Sequence, residues 1–208
     1  TRGGDATAVG TMWQPQQVPF PPAIDSQFQV AAMQRWRHGL GLQLDHPWRI
    51  ADIGCGNGYL AAAAGYLFGP VKDLLLLDLD ELTVQHAQAN VRHSVRRTTK
   101  TGVTFSSACD ESAIRTWAGD FAQYPHNDTF DLMICNPPYL PELQLAGSGI
   151  ERATNGTKLL ESFVRRVPYM SRYGILSVSA LAWPEFERAI LDATQGVTQI
   201  TVLERNFV

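Results

Sequence analysis

An α/β fold, a mostly parallel sheet with helices on both faces, is predicted by three observations. Apolar runs of strand length alternate along the chain with stretches of helical periodicity. The first run, Trp48 to Ile53, enters a turn carrying Gly54, Gly56 and Gly58 and then the helix-forming Tyr59-Leu60-Ala61-Ala62-Ala63-Ala64. Two later runs also end in polar groups: one in Asp78-Leu79-Asp80, the other in Asn136-Pro137-Pro138-Tyr139. In a parallel sheet the strands' carboxyl ends share one edge, so these three features converge there.

Residues 1–17 are rich in Gly, Gln, Thr and Ala and lack the basic start and apolar core of a signal peptide. They are expected to be a flexible N-terminal segment, ahead of a single domain at 18–208 with a helical lead-in at 18–47. Val18-Pro19-Phe20-Pro21-Pro22-Ala23 is extended and stiffened by its prolines. Asp25-Ser26 is a cap signal for an amphipathic helix from Gln27 to His38. After the first strand and the glycine turn, a helix runs to Phe68 with Asn57 as its N-cap. Gly69-Pro70 breaks the chain before the second strand at 73–80. Asp80 caps the next helix, 81–95, which ends near Ser94. The third strand has two candidates, 102–108 and 113–118, and some extra loop or hairpin must fit here. The fourth strand is Phe130-Asp131-Leu132-Met133-Ile134-Cys135. It must stop at Pro137 and Pro138, which cannot donate ladder hydrogen bonds. A loop at 140–155, a helix at 157–169 and a fifth strand at 174–181 follow. Pro184 sits early in a helix opened by Trp183, and 197–203 is a last strand.

The glycine turn is spaced G-x-G-x-G behind Asp52, whereas a dinucleotide-binding turn reads G-x-G-x-x-G. Glycine lets a backbone turn sharply and come close to a ligand. An acid ahead of the glycines repels a pyrophosphate, but binds a cationic amino-acid group directly or through water. Asp52, Gly54, Gly56 and Gly58 therefore favour S-adenosylmethionine over a dinucleotide. Asp78, at the end of the second strand, is placed to accept from two ribose hydroxyls. Asp120, in Gly119-Asp120-Phe121, is expected nearest the adenine amino group, with Asp110 its rival. The loop after the fourth strand offers the Asn136 amide, backbone carbonyls free to accept, and the flat Tyr139 ring. That set suits a planar group bearing NH2, with acceptors for its N–H protons and a ring to stack on its plane.

Composition sets outer limits. Apolar residues make up 45% of the chain, enough for a full core, with no apolar run of membrane-spanning length. Cys55, Cys109 and Cys135 share no metal-ligand spacing and read as reduced packing residues of a cytoplasmic protein. No metal site is expected. The net charge is −3, where proteins that wrap nucleic acid carry a basic face. Arg92, His93, Arg96, Arg97 and Lys100 form one basic cluster, but cations also suit the end of a helix. His86 and His93 read as surface residues, and Trp36, Trp48, Trp117 and Trp183 as core or rim anchors.

Asp52-x-Gly54-x-Gly56-x-Gly58, Asp78 and Asn136-Pro137-Pro138-Tyr139 together resemble a class I S-adenosylmethionine-dependent methyltransferase of the small domain group. Within it the chain is similar to the HemK-like protein-(glutamine-N5) methyltransferases. Pro22-Ala23-Ile24-Asp25-Ser26-Gln27-Phe28 and Gly149-Ile150-Glu151-Arg152-Ala153-Thr154-Asn155-Gly156 add to that likeness. The resemblance implies a Rossmann-like, seven-stranded sheet, with its last hairpin short or incomplete here. It implies that Asn136, which also borders the cofactor, and the Pro137 carbonyl hold the acceptor nitrogen while Tyr139 packs against it. The chain departs from bacterial release-factor methyltransferases in its short stretch ahead of Trp48, where those carry a helical recognition domain.

The reaction implied is in-line transfer of a sulfonium methyl to nitrogen. An amide or aryl amine is a weak nucleophile because its lone pair is delocalised. Acceptors on its N–H protons favour pyramidalisation as the transition state forms. The substrate expected first is a glutamine amide of a protein such as a release factor, with a partner subunit supplying recognition surface. The alternatives are the amino group of adenine or guanine in RNA or DNA, or a small molecule.

Overall fold

In the computed structural model, the described residues are 22, 24–39, 46–101, 109–137, 156–178 and 183–192. Residues 1–17, the candidate strand at 102–108, Tyr139, the loop at 140–155 and the last strand at 197–203 lie outside them.

The elements in chain order are α1 (Ile24–Gly39), β1 (Trp48–Ile53), α2 (Tyr59–Phe68), β2 (Val71–Asp78), α3 (Glu81–Thr101), β3 (Ile114–Ala118), β4 (Phe130–Cys135), α4 (Gly156–Met170), β5 (Ser171–Leu176) and α5 (Trp183–Asp192). Short 3-10 turns at Glu111–Ala113 and Phe121–Gln123 flank β3. The described strands form one parallel sheet in the order β3-β2-β1-β4-β5. Of the seven strands expected, five are present among the described residues.

Successive side chains of a strand point to opposite faces, which explains the apolar runs. Ile50, Leu74, Leu76, Leu132 and Ile134 pack on one face with Val30 and Met33 of α1 and the alanines of α2. Ala51, Ile53, Leu75, Leu77, Met133 and Cys135 pack on the other with Phe163 of α4. Central strands buried on both faces are legible as unbroken apolar segments. The edge strands are not. The side chains of β5 alternate between half-buried and exposed at its start, so its first residues, Ser171, Arg172 and Tyr173, do not read as a strand. That is why β5 begins three residues before the expected 174. In β3, Arg115 and Thr116 are exposed, and the second of the two candidate segments is the strand.

Other boundaries moved for local reasons. Helix α1 starts at Ile24, so Asp25 and Ser26 lie inside its first turn, and both accept from Asn136. Helix α3 continues to Thr101, past the expected end near Ser94. The Ser94 hydroxyl donates to the Asn90 carbonyl one turn back, and nothing breaks the helix before Gly102. The N-cap position of α2 is Gly58, with no side-chain cap bond of its own; the Asn57 carboxamide oxygen instead accepts from the Tyr59 N–H at 2.9 Å. Strand β2 starts at Val71 and ends at Asp78, leaving Asp80 to cap α3 through the Thr83 N–H at 3.0 Å.

No α-helix joins β3 to β4. The chain crosses the sheet face through the turn at Phe121–Gln123 and is held by Arg166 of α4. Its guanidinium donates to the carbonyls of Ala122 and Tyr124 and lies 4.9 Å from the centre of the Phe121 ring. At the amino ends of the strands, Arg49 and Arg115 bridge Asp73 and Asp128. This partly exposed network adds modest stability and ties β1, β2 and β3 to the entry of β4. No helix among the described residues is long and apolar enough to cross a membrane.

Candidate active site

The chain lays β2 and β3 to one side of β1, then jumps back to lay β4 and β5 on the other. The carboxyl ends of β1 and β4 are therefore a topological switch point, where ligands bind in open α/β sheets. Strand register brings the predicted residues together there. Ile53 pairs with Leu77 on one side and Cys135 on the other, so Gly54, Asp78 and Asn136 leave the sheet at one level.

The glycine turn is tied down at several points. Gly54 and Cys55 donate to the Leu77 carbonyl at 2.8 and 2.9 Å, and Asn90 of α3 donates to the Asn57 carbonyl at 3.1 Å. All three glycines have positive φ, the left-handed region. Gly58 needs its missing side chain for packing too, since a Cβ there would lie 2.9 Å from the Ala87 carbonyl oxygen. Gly56 differs, because a Cβ on it would meet nothing within 4 Å. Its open side is where a ligand can approach the backbone.

Asp52 is fully buried, beneath the turn and not on its surface. Alternation turns it toward α2, where Oδ2 accepts from the Ala61 N–H at 2.9 Å. Its Oδ1 has no partner among the described residues. Burial, with a smaller contribution from the Asp78 charge, pushes its pKa up to about 7 against the pull of the Ala61 bond. Asp78 stands at the rim. Its Oδ2 accepts from the Gly56 N–H at 3.0 Å, and backbone N–H groups of Leu79 and Asp80 also favour its charged form; burial outweighs them and raises its pKa. The same burial, with Asp52 and Asp78 nearby, raises the Cys55 and Cys135 thiols well above their usual range. Those thiols are inert at neutral pH.

Asp120 follows β3 at the same sheet edge, exposed, and caps the short turn through the Ala122 N–H at 2.9 Å. Asp110 precedes β3 and so belongs to the opposite edge. Of the two rivals only Asp120 shares an edge with the glycine turn. Leu79 and Leu82, 55% and 62% exposed, flank Asp78 and Asp80. Sequence reading passed over them because a leucine beside an apolar strand reads as core.

Asn136 is partly buried just beyond β4. Its Nδ2 donates to Asp25 Oδ2 at 2.7 Å and Ser26 Oγ at 3.1 Å, while its Oδ1 is buried without a partner among the described residues. A flipped amide would set Oδ1 against the Asp25 carboxylate, so chemistry fixes the orientation. Pro137 is buried beside it, and Tyr139 lies outside the described residues. The site thus holds two orphaned buried acceptors, Asp52 Oδ1 and Asn136 Oδ1, an open glycine and a rim carboxylate. This set of acceptors fits S-adenosylmethionine, whose ammonium, ribose hydroxyls and adenine amino group donate.

Comparison with known proteins agrees. The model of the methyltransferase small domain family matches residues 41–157, over half of the chain. Ribosomal RNA large subunit methyltransferase G of Pseudomonas putida is 33% identical over 91 residues, which cover 44% of this chain and 20% of that protein. The protein of the same name from Ectopseudomonas mendocina is 34% identical over 92 residues, again 44% and 20%. The match thus spans about a fifth of these relatives' length. They are named for ribosomal RNA, whereas the likeness seen in the tetrapeptide and its flanks was to glutamine methyltransferases. Two solved structures share the fold. The METTL16 methyltransferase domain aligns with a TM-score of 0.55 at 17% identity, covering 95% of this chain and 89% of that one. The human methyltransferase 10 domain containing protein aligns at 0.53 and 16% identity, covering 92% and 88%. With its fold, its glycine turn and more than half its length matching, the chain belongs to the methyltransferase small domain family, S-adenosylmethionine-dependent methyltransferases of the class I fold.

Proposed function

We propose that this chain methylates the exocyclic amino group of a base in RNA. The observation that carries the chemistry is the Asn136 amide, whose NH2 is engaged by Asp25 and Ser26 and whose Oδ1 is left as an unused, buried acceptor. An orphaned acceptor at a methyltransferase's sheet edge calls for an N–H donor, and a planar amine has two. The RNA assignment is supported by the ribosomal RNA methyltransferases at 33–34% identity.

In this reading Asp78 holds the cofactor ribose, Gly56 lets the backbone approach it, and Leu79 and Leu82 cover the adenine, with Asp120 near its amino group. Full burial of Asp52 favours contact with the ammonium through water over direct contact. When bound, S-adenosylmethionine supplies an electrophilic sulfonium methyl. Asn136 Oδ1 and the Pro137 carbonyl accept hydrogen bonds from the amine's N–H groups and orient its lone pair, and the methylated nitrogen sheds its extra proton to solvent once the bond has formed. No strong base is required beforehand, because positive charge develops on nitrogen only as the bond forms.

A glutamine amide is the second reading, and one observation favours it. Helix α3 runs back from the site edge, so the segment with Arg92, His93, Arg96, Arg97 and Lys100 ends at the amino ends of the strands, away from the site. A flipped base needs phosphate contacts close to the pocket. The experiment is labelled-methyl transfer into a cell extract, split by nuclease and protease. Label released by nuclease and resistant to protease supports the RNA reading. The reverse overturns it in favour of glutamine.

A further inference from the structure

We infer that Asp25 and Ser26, in the first turn of α1, are positioning residues that lock the Asn136 amide with its oxygen toward the acceptor pocket. The inference rests on the reading of Asn136 as the group that takes the substrate N–H. A carboxamide is nearly symmetric in shape, and a 180° turn exchanges acceptor for donor. A donor facing the substrate would meet an NH2 group with another NH2. Something must bias the rotamer, and the Asp25 carboxylate, which accepts only, does so at 2.7 Å. The Ser26 hydroxyl engages the same nitrogen at 3.1 Å.

Helix α1 is itself clamped to the strand ends that carry the site. Gln29, buried one turn on, donates to the carbonyls of Cys135 at 3.1 Å and Ile175 at 3.3 Å, and accepts from the Ser177 hydroxyl at 2.8 Å. All the bonding capacity of that amide except one acceptor lone pair is used across α1, β4 and β5. Cys135 is the residue before Asn136, so the clamp fixes the backbone from which the Asn136 side chain springs. Further along, α1 is seated by Val30 and Met33 in the core and by Trp36 against Phe68 and Tyr173. The lead-in helix is thus a working part of the site.

The test exchanges the two partners. Asn136→Asp alone opposes two carboxylates and should lower kcat by about a hundredfold or more. Asp25→Asn alone lets the amide pair in either sense and should lower kcat by about tenfold, with cofactor affinity within about twofold. In the double variant Asn at 25 donates to Asp at 136, whose other oxygen faces the pocket. It should exceed Asn136→Asp by at least about tenfold. Activity is read as labelled methyl transferred to deproteinised ribosomal RNA from cells lacking the protein. A second reading needs no substrate: the Asn136 side-chain 1H–15N pair, assigned by its loss in Asn136→Asp, should move upfield in Asp25→Ala. Additive losses, or an amide signal that stays put in a folded variant, overturn the inference. Wild-type protein inactive on that RNA overturns the RNA reading instead, and the amide signal still decides the positioning role.

Discussion

Asn136 and Asp78 sit at the same sheet edge with separable proposed tasks, and substitutions should part them. Asn136→Ala is expected to abolish transfer while leaving cofactor affinity nearly intact, because in the proposed reading its orphaned oxygen accepts from the substrate amine. A kcat surviving within about tenfold, roughly 1.4 kcal/mol, would remove Asn136 from the chemistry. Asp78→Ala should weaken cofactor binding by about 1.5–3 kcal/mol, the scale of losing hydrogen bonds to a charged group. It also releases the Gly56 N–H. Calorimetry showing unchanged affinity in a folded variant would reject the ribose assignment. Asp52 makes a prediction about pH. Its folded pKa, about 7, lies above the ordinary 3.8. Folding is therefore favoured by its proton below about pH 4, and that contribution is lost as pH rises through 7. Asp52→Asn removes the titration and keeps an acceptor for Ala61. Its stability relative to wild type should rise from pH 4 to pH 7 and then level off, with a span of a few kcal/mol at roughly 1.4 kcal/mol per pKa unit. Denaturant melts across that range showing no divergence would mean that Asp52 is ionised and partnered.

At the scale of elements, the turn between β1 and α2 depends on Gly58. Alanine there would carry positive φ and press on the Ala87 carbonyl of α3. A loss of about 2–4 kcal/mol is expected, more than strain alone. Gly56→Ala carries a similar strain but meets open space, so it should cost less stability and more cofactor affinity. Equal melting shifts for the two would contradict the packing account. These glycines were legible because turn and register are local matters, as were Asp78 at the end of β2 and Asn136 after β4. What sequence could not supply was tertiary. Asp25 and Ser26 look like a cap, and only the packing of α1 reveals that they serve Asn136. Arg166 looks like a surface residue of an amphipathic helix, yet it is buried and replaces the helix missing between β3 and β4. The start of β5 escaped, and β3 is only one of two candidates in the sequence, because edge strands lack a continuous apolar run.

Across the described sheet, the strand order gathers the proposed cofactor residues beside β1 and the proposed acceptor residue after β4, with α1 bracing the latter. That division explains how one edge can serve a cofactor common to the family and a substrate particular to the chain. In the proposed RNA reading, a net charge of −3 and a basic helix segment remote from the Asn136 edge leave few cations to contact phosphates. Binding to ribosomal RNA should accordingly show a shallow salt dependence, with few counterions released. A slope as steep as that of a protein with six or more phosphate contacts would place a basic face near the site. The central claim is that Asn136 directs methyl to the exocyclic amine of an RNA base. Its most direct test is mass spectrometry of nucleosides digested from ribosomal RNA after reaction with labelled cofactor, wild type beside Asn136→Ala. The account predicts label on the exocyclic nitrogen of adenosine or guanosine, absent with the variant. Label on a ring atom or a ribose oxygen, or on no nucleoside while a protein glutamine carries it, would contradict it.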